Sequence, residues 1–231
     1  MVALGARLAN PIRRLPILAE TTIIMVVAFA WPIFNSLRAL ITPPSHAPID
    51  NAHLLTLIVA EPILIGFLGA LLWIRGWTPA TVGLGRPRLV DLPLGIGLGL
   101  LCQALFVGCW TLCWYITPNI IHLVHPRLVS ASHLSWTWIA LVSAINPFFE
   151  EIFVCAYPIA IARRTRWTTV GVVMSILIRA TYHLYQGPLA LFAVVPLGIV
   201  FALYFATTGR LWPLIVAHMA LDLFGLGVHS G

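Results

Sequence analysis

Charged side chains are scarce in this chain of 231 residues, and lysine is absent altogether. Only 9% of the residues are charged and 60% are hydrophobic, whereas a soluble domain usually carries about a quarter charged residues. The mean hydropathy of +0.97 agrees with this balance. The composition therefore excludes an ordinary soluble domain and predicts a protein of the membrane, with lipid as its main surroundings.

Further absences narrow the chemistry. The four cysteines form no CxxC pair, which excludes a disulfide framework and a zinc knuckle of the usual spacing, and we expect them only to pack. No HExxH motif is present. The thirteen arginines stand in small clusters, an arrangement that favours control of membrane topology over binding of nucleic acid. The cysteines are Cys102, Cys109, Cys113 and Cys155.

Long apolar runs dominate what remains. A spanning helix needs about 20 apolar residues, and on that criterion the sequence predicts seven spans and an all-α, polytopic helix bundle. The segments are 16–37, 53–74, 91–116, 133–162, 167–186, 188–206 and 211–228. We predict one integral membrane domain with two parts: three N-terminal spans in 1–116, and a catalytic core of four spans in 133–231.

Arginine placement predicts the orientation, because arginines in short loops are retained on the cytoplasmic side. Ten arginines flank the side that includes the N-terminus, two lie in the opposite loops, and Arg179 lies within the fifth segment. We therefore expect a multi-pass protein of the cell membrane with a cytoplasmic N-terminus. The ten are Arg7, Arg13, Arg14, Arg75, Arg86, Arg88, Arg163, Arg164, Arg166 and Arg210, and the two are Arg38 and Arg127.

The core segments contain almost every ionisable group that we expect to be buried. Each such group costs about 2.5 to 3.5 kcal/mol at a helix centre on insertion scales, so the groups should face one another or water. The arrangement suits water activation: Glu150 as general base, His183 as its partner, and His218 with Asp222 as a pair that stabilises an oxyanion. The full set is Glu150, Glu151, Arg179, His183, His218 and Asp222.

Three motifs occur in order on successive core segments: "EEIFVC", "RATYH" and "HMALD". They resemble the EExxxR, FxxxH and HxxxN or HxxxD motifs of the CAAX protease and bacteriocin-processing family, which includes the Ras-converting enzyme. The resemblance covers about the last 100 residues and implies an intramembrane endopeptidase, with CAAX-type C-terminal processing as the activity to be expected. It assigns the base to Glu150 and leaves Glu151 as the orienting or paired residue.

The resemblance implies a glutamate-type mechanism without a cofactor, in which Glu150 and His183 activate water. Zinc is the alternative, because one glutamate, two histidines and an aspartate are suitable ligands. In that case Glu150, His183, His218 and Asp222 would bind the metal.

Two positions depart from the family pattern. Cys155 stands where the family usually has arginine, and Arg179 stands where it usually has phenylalanine. A lone guanidinium at this depth would be very costly, so we expect Arg179 to pair with Glu150 or Glu151 and to replace the missing cation.

Two other function classes stay open at this stage. Buried acids and histidines also relay protons in transporters, although no inverted repeat supports a proton-coupled carrier here. A catalytically idle immunity or scaffold protein could use the same fold. As partners we expect membrane lipid and a peptide or protein substrate, and no nucleic acid.

The remaining polar groups predict structural roles. Glu61 should hydrogen-bond between helices, and Gly95 with Gly99 should let another helix approach closely. We interpret Tyr182, Tyr185 and Gln186 as interfacial anchors, and a metal site at His122, His125 and His133 as improbable because no carboxylate is near.

Overall fold

The computed structural model describes residue 12 and residues 14–41, 50–116, 134–187 and 190–228. Throughout these ranges the regular structure is helical, as the composition predicts. Five helices are long and apolar enough to cross a membrane, and two shorter apolar helices accompany them. The seven correspond one to one with the seven predicted segments, and the protein is a multi-pass membrane protein.

The first part of the chain contributes three long helices and a short turn. They are α1 (Ile17–Ile41), α2 (Asn51–Ile74), a 3-10 turn (Pro79–Val82) and α3 (Asp91–Ile116). The start of α2 is fixed by Asp50, whose carboxylate accepts a hydrogen bond of 2.7 Å from the His53 amide. Most of the surface of these helices faces outward, as expected for helices surrounded by lipid.

The second part builds the core. Its elements are α4 (Trp136–Glu150), a π-helical turn (Glu151–Ala156), α5 (Tyr157–Arg164), α6 (Thr168–Tyr182), a 3-10 turn (Leu184–Gln186), α7 (Leu191–Thr208) and α8 (Trp212–Val228). From α4 to α5 the chain forms one continuous span, Trp136–Arg164. In an apolar stretch of 18 residues within this span, 67% of the residues are buried. The corresponding share is 17 to 22% in the other long helices, so this span is the centre of the bundle.

A π turn interrupts the central span where one regular helix was predicted. The Tyr157 amide bonds to the Ile152 carbonyl, five residues back, which is the π spacing. Pro158 follows directly; it has no N–H to offer the Val154 carbonyl, and its ring crowds that carbonyl. These two effects favour a wider turn here, and the turn begins at Glu151.

The fifth segment is shorter than predicted. The sequence predicted a span over 167–186, whereas α6 ends at Tyr182 and His183 caps it with φ −94° and ψ −2°. Gly187 then adopts φ +93°, a conformation that side-chain-bearing residues rarely take, and a proline follows it in the sequence. His183 consequently lies at the end of a helix and not within one.

The predicted close approach at the glycine pair is confirmed between α3 and α8. A Cβ atom added at Gly95 would lie 2.5 Å from the Val216 Cβ and 2.7 Å from the Pro213 carbonyl oxygen. At Gly99 it would lie 3.4 Å from the Ala217 carbonyl oxygen. The two glycines thus bring α3 against the helix that carries His218 and Asp222.

The prediction that buried ionisable groups concentrate in the core is incomplete, because an acid of α1 is also buried. Glu20 is 2% exposed. Its Oε1 accepts hydrogen bonds from the Trp77 indole at 2.8 Å and the Tyr157 hydroxyl at 3.1 Å, and its Oε2 pairs with Arg75 at 2.5 Å. These hydrogen bonds and the ion pair connect α1 to the central span through Tyr157 and to the segment after α2 through Arg75 and Trp77.

Candidate active site

Glu150 and Glu151 both reach the guanidinium of Arg179. Arg179 Nη1 lies 3.1 Å from Glu150 Oε2, and Nη2 lies 2.7 Å from Glu151 Oε1. Neighbouring residues of a regular α-helix point about 100° apart, but here the α-helix ends at Glu150 and the π turn begins at Glu151. One cation thus pairs with both acids at the point where the winding of the helix changes.

The expected ion pair of Arg179 is therefore confirmed, with both candidates at once. Arg179 is 1% exposed, and its guanidinium carbon lies 5.7 Å from the centre of the Phe201 ring. Gly198 leaves space beside it, since a Cβ there would lie 3.5 Å from Arg179 Cδ. Cys155, where the family usually has arginine, is fully buried and contributes no charge to the ion pair.

Glu151 is fully buried and holds His218. Its Oε1 lies 2.7 Å from His218 Nδ1, in addition to its contact with Arg179. Its Oε2 is buried without a hydrogen-bond partner among the described residues. A carboxylate bound to Nδ1 orients the imidazole and directs Nε2 toward the other groups of the site.

Glu150 is 7% exposed and has a different set of contacts. Its Oε2 accepts a hydrogen bond of 2.5 Å from the Tyr182 hydroxyl and lies 3.9 Å from His218 Nε2. The latter distance is too long for a direct hydrogen bond, so the two groups remain able to bind a third molecule such as water.

Asp222 lies on the far side of His218. Its Oδ1 is 3.5 Å from His218 Nε2, one helical turn away along α8. Its Oδ2 accepts a hydrogen bond of 3.3 Å from the Asn146 amide of α4. The predicted pairing of His218 with Asp222 is thus present, with an additional amide that the sequence reasoning did not include.

His183 shares a cavity with these groups but does not bond to Glu150 directly. The cavity has a volume of about 130 Å³. His183 Nδ1 is buried without a hydrogen-bond partner in the described part of the chain. Residues from three helices and His183 line the cavity: Arg179, His183, Ala193, Val194, Leu197, His218, Leu221 and Asp222.

The structure changes the interpretation of two residues to which the sequence assigned no catalytic role. Tyr182, predicted as an interfacial anchor, is buried and bonds to Glu150; its place next to His183 in "RATYH" was the signal that could have identified it. Glu61 was expected to hydrogen-bond between helices. It is 5% exposed, and its Oε2 has no hydrogen-bond partner within the described ranges.

Tyr185 and Gln186 contact each other and their neighbours, and the Tyr185 ring stacks on the His183 ring with 6.3 Å between the centroids. The Gln186 amide donates to the Tyr185 hydroxyl at 3.0 Å, and the Tyr185 backbone amide donates to the Ser36 hydroxyl of α1 at 2.8 Å. His122, His125 and His133 lie outside the described residues. The four cysteines form no disulfide within the described residues.

A metal ion does not fit this donor set without rearrangement. Glu150, Glu151 and His218 each offer one ligand atom, and these atoms lie within 4.8 Å of one another. Both carboxylates, however, already bind the guanidinium of Arg179, and the Glu151 oxygen also binds His218 Nδ1. A divalent cation would have to displace a fixed positive charge. The zinc alternative grouped His183 and Asp222 with Glu150 and His218, a set different from this cluster.

Comparison with known families supports the resemblance seen in the motifs. Residues 132–224 match the model of the Rce1-like family, which is described as "Type II CAAX prenyl endopeptidase Rce1-like". The match covers less than half of the chain and includes all three motifs. The predicted resemblance to CAAX-type endopeptidases is confirmed for this part of the chain.

One curated protein adds a more distant similarity. The inner membrane protein YtfF of Escherichia coli (strain K12) is 28% identical over 100 residues, which are 43% of this chain and 31% of that protein. The chain thus matches about a third of the length of this relative. No solved structure matches the chain.

Proposed function

We propose that the protein is an intramembrane endopeptidase that hydrolyses a peptide bond near the membrane, with CAAX-type C-terminal processing as its activity. The observation that carries the proposal is the buried cluster of Glu150, Glu151, Arg179 and His218 next to a cavity in the matched segment. Ionisable groups at membrane depth mark functional sites, and a carboxylate beside an imidazole is suited to activating water.

Glu150 is the general base in this proposal. It takes a proton from a water molecule while the resulting hydroxide adds to the carbonyl carbon of the substrate. The C–N bond of the tetrahedral intermediate then breaks, and the amine leaves with the proton that Glu150 held. The difference in exposure supports this assignment: Glu150 is 7% exposed and Glu151 is fully buried.

The other residues position groups or stabilise charge. Glu151 fixes the imidazole of His218 through Nδ1, which leaves Nε2 to donate a hydrogen bond to the oxyanion. Asp222 supplies a second donor only in its protonated form, because an ionised carboxylate accepts hydrogen bonds but does not donate them. Arg179 keeps both glutamates together. His183 lines the cavity with an unpartnered nitrogen and is the further imidazole available to the attacking water.

The cavity supplies what hydrolysis inside a membrane requires. A volume of about 130 Å³ exceeds the 10 to 15 Å³ needed for one water molecule, so the cavity can hold several waters beside His183 and His218, and His218 Nε2 lies 3.9 Å from Glu150 Oε2. We propose that no metal takes part, and that the N-terminus is cytoplasmic, as the arginine distribution favours.

The test compares wild-type protein with Glu150→Gln in detergent or liposomes. Substrates are peptides with a C-terminal CAAX sequence, with and without a prenyl group, and cleavage is followed by mass spectrometry. We expect the variant to lose about 10²- to 10⁴-fold in rate, while its melting temperature shows that it folds. Equal cleavage by both proteins would contradict the assignment of the base. Folded wild-type protein without hydrolysis would favour an idle scaffold, and proton uptake into liposomes would favour a carrier.

A further inference from the structure

A second and larger cavity lies at one face of the bundle, away from the candidate active site. Its volume is about 350 Å³, and it shares no lining residue with the cavity next to His218. It forms where the loop between α2 and α3 meets the turn between α7 and α8. Its lining residues are Ala80, Gly83, Gly85, Arg86, Arg88, Gly209, Arg210 and Trp212.

Hydrogen bonds between the two loops hold the cavity in shape. The Leu211 amide donates to the Gly83 carbonyl at 3.1 Å, and the Trp212 indole donates to the Gly85 carbonyl at 2.6 Å. Gly83 adopts φ +82°, and a Cβ there would lie 2.7 Å from the Gly209 carbonyl oxygen. Only glycine permits this contact, so the loops form a fixed wall.

The charge of the cavity is strongly positive. Three arginines line it, and Asp91 at the start of α3 is paired with one of them: Arg210 Nη2 lies 2.6 Å from both Asp91 oxygens. Arg86 and Arg88 are exposed, and neither side chain forms an ion pair with a carboxylate in the part of the chain that the structure describes. Two guanidinium groups therefore remain available to an anion, and such forks suit phosphate.

Apolar side chains beside the arginines show what kind of anion fits. Leu89 is 97% exposed, Val90 50% and Leu92 58%, and they lead directly into the spanning helix α3. Trp212 lines the cavity at the start of α8, as an aromatic residue of the membrane interface does. A soluble phosphate would use only the arginines, whereas a lipid would use both surfaces.

We propose that this cavity binds the phosphate headgroup of an anionic phospholipid, with its acyl chains along Leu89 and Leu92. Arg86 and Arg88 bind the phosphate. Arg210, which is paired with Asp91, adds to the positive electrostatic potential of the cavity. Basic pockets between spanning helices at a membrane surface are suited to such headgroups. The bound lipid stabilises the contact of the α2–α3 loop with the start of α8, the helix that carries His218.

The experiment measures the melting temperature of the full chain in a neutral detergent at increasing lipid concentration. The probes are dioctanoyl phosphatidylglycerol, dioctanoyl phosphatidylcholine and inorganic phosphate. Wild type is compared with Arg86→Gln/Arg88→Gln and with the control Arg14→Gln/Arg166→Gln, which removes two exposed arginines that do not line the cavity.

We expect phosphatidylglycerol to raise the melting temperature of wild type and control in a saturable manner. The concentration for half saturation should increase about thirty-fold in the Arg86/Arg88 variant. Native mass spectrometry of wild type should show one tightly held phosphatidylglycerol per chain, a readout that needs no variant. An equal loss in the control pair, an equal effect of phosphatidylcholine, no lipid effect, or saturation by inorganic phosphate at the same concentration would each overturn the proposal.

Discussion

Replacing Arg179 by methionine removes the guanidinium group that pairs with both Glu150 and Glu151. Methionine keeps much of the length and apolar surface of the side chain but none of its charge. The two carboxylates are 7% and 0% exposed, so the variant leaves two adjacent buried acids with the imidazole of His218 as the basic group beside them. Removing one member of a buried ion pair costs about 3 to 5 kcal/mol of stability, and here two acids lose the same partner.

The quantity to measure is the free energy of unfolding, by denaturant titration in mixed micelles. Arg179→Met should lower it by about 3 kcal/mol or more. Arg14→Met, at an exposed position, should change it by less than about 0.5 kcal/mol. In Glu150→Gln/Glu151→Gln/Arg179→Met all three charges are gone, and we expect most of the stability to return, because neutral replacements of a whole buried ion pair are often well tolerated.

A loss of stability that persists in the triple variant would refute this reasoning. It would mean that Arg179 acts through its packing against Phe201 and Gly198 and not through charge. A single variant as stable as wild type would refute it as well, since the two acids would then need no cation.

Three further outcomes are expected. Peptide hydrolysis should survive prolonged treatment with a strong chelator, and activity that returns only with added zinc would contradict the metal-free proposal. Tyr182→Phe removes the hydroxyl that donates to Glu150; we expect a stability loss of about 1.5 to 3 kcal/mol, together with slower hydrolysis, and unchanged values of both would exclude a role for this contact. Gly95→Ala should lower the melting temperature because its Cβ would overlap Val216, whereas Gly97→Ala, with nothing within 4 Å, should not; equal effects would mean that the α3–α8 contact is not limiting.

The sequence was sufficient to predict seven apolar helices in the described ranges and part of the candidate site, namely the meeting of the two glutamates with Arg179 and His218. Hydrophobic runs of spanning length are the strongest signal in a chain, and each run became a helix. The meeting of Glu150, Arg179 and His218 could be predicted because isolated charges at membrane depth must find partners. That argument depends on the lipid environment and needs no knowledge of exact helix ends.

What the sequence did not predict depends on local backbone geometry and on long-range pairing. Regular 100° steps predict different directions for the two glutamates, whereas both bind Arg179, and the π turn that begins at Glu151 was not predicted. Glu20 bonds to Trp77 and Tyr157, which lie 57 and 137 positions further along the chain. A single sequence contains no pattern that predicts contacts over such separations. Tyr182 was interpreted from its type alone, although its position beside His183 made a contact with the acids possible.

The π turn also means that the two halves of the fourth span, α4 and α5, are rotated relative to each other about the helix axis. A turn with one extra residue rotates everything on one side of it by about 100° relative to a regular helix. Trp136–Glu150 and Tyr157–Arg164 therefore present different flanks to their neighbours, and no single stripe of residues runs the length of the span. Deleting one residue of Glu151–Ala156 would leave the composition of the membrane segment almost intact, yet it would turn half of the helix away from its partners.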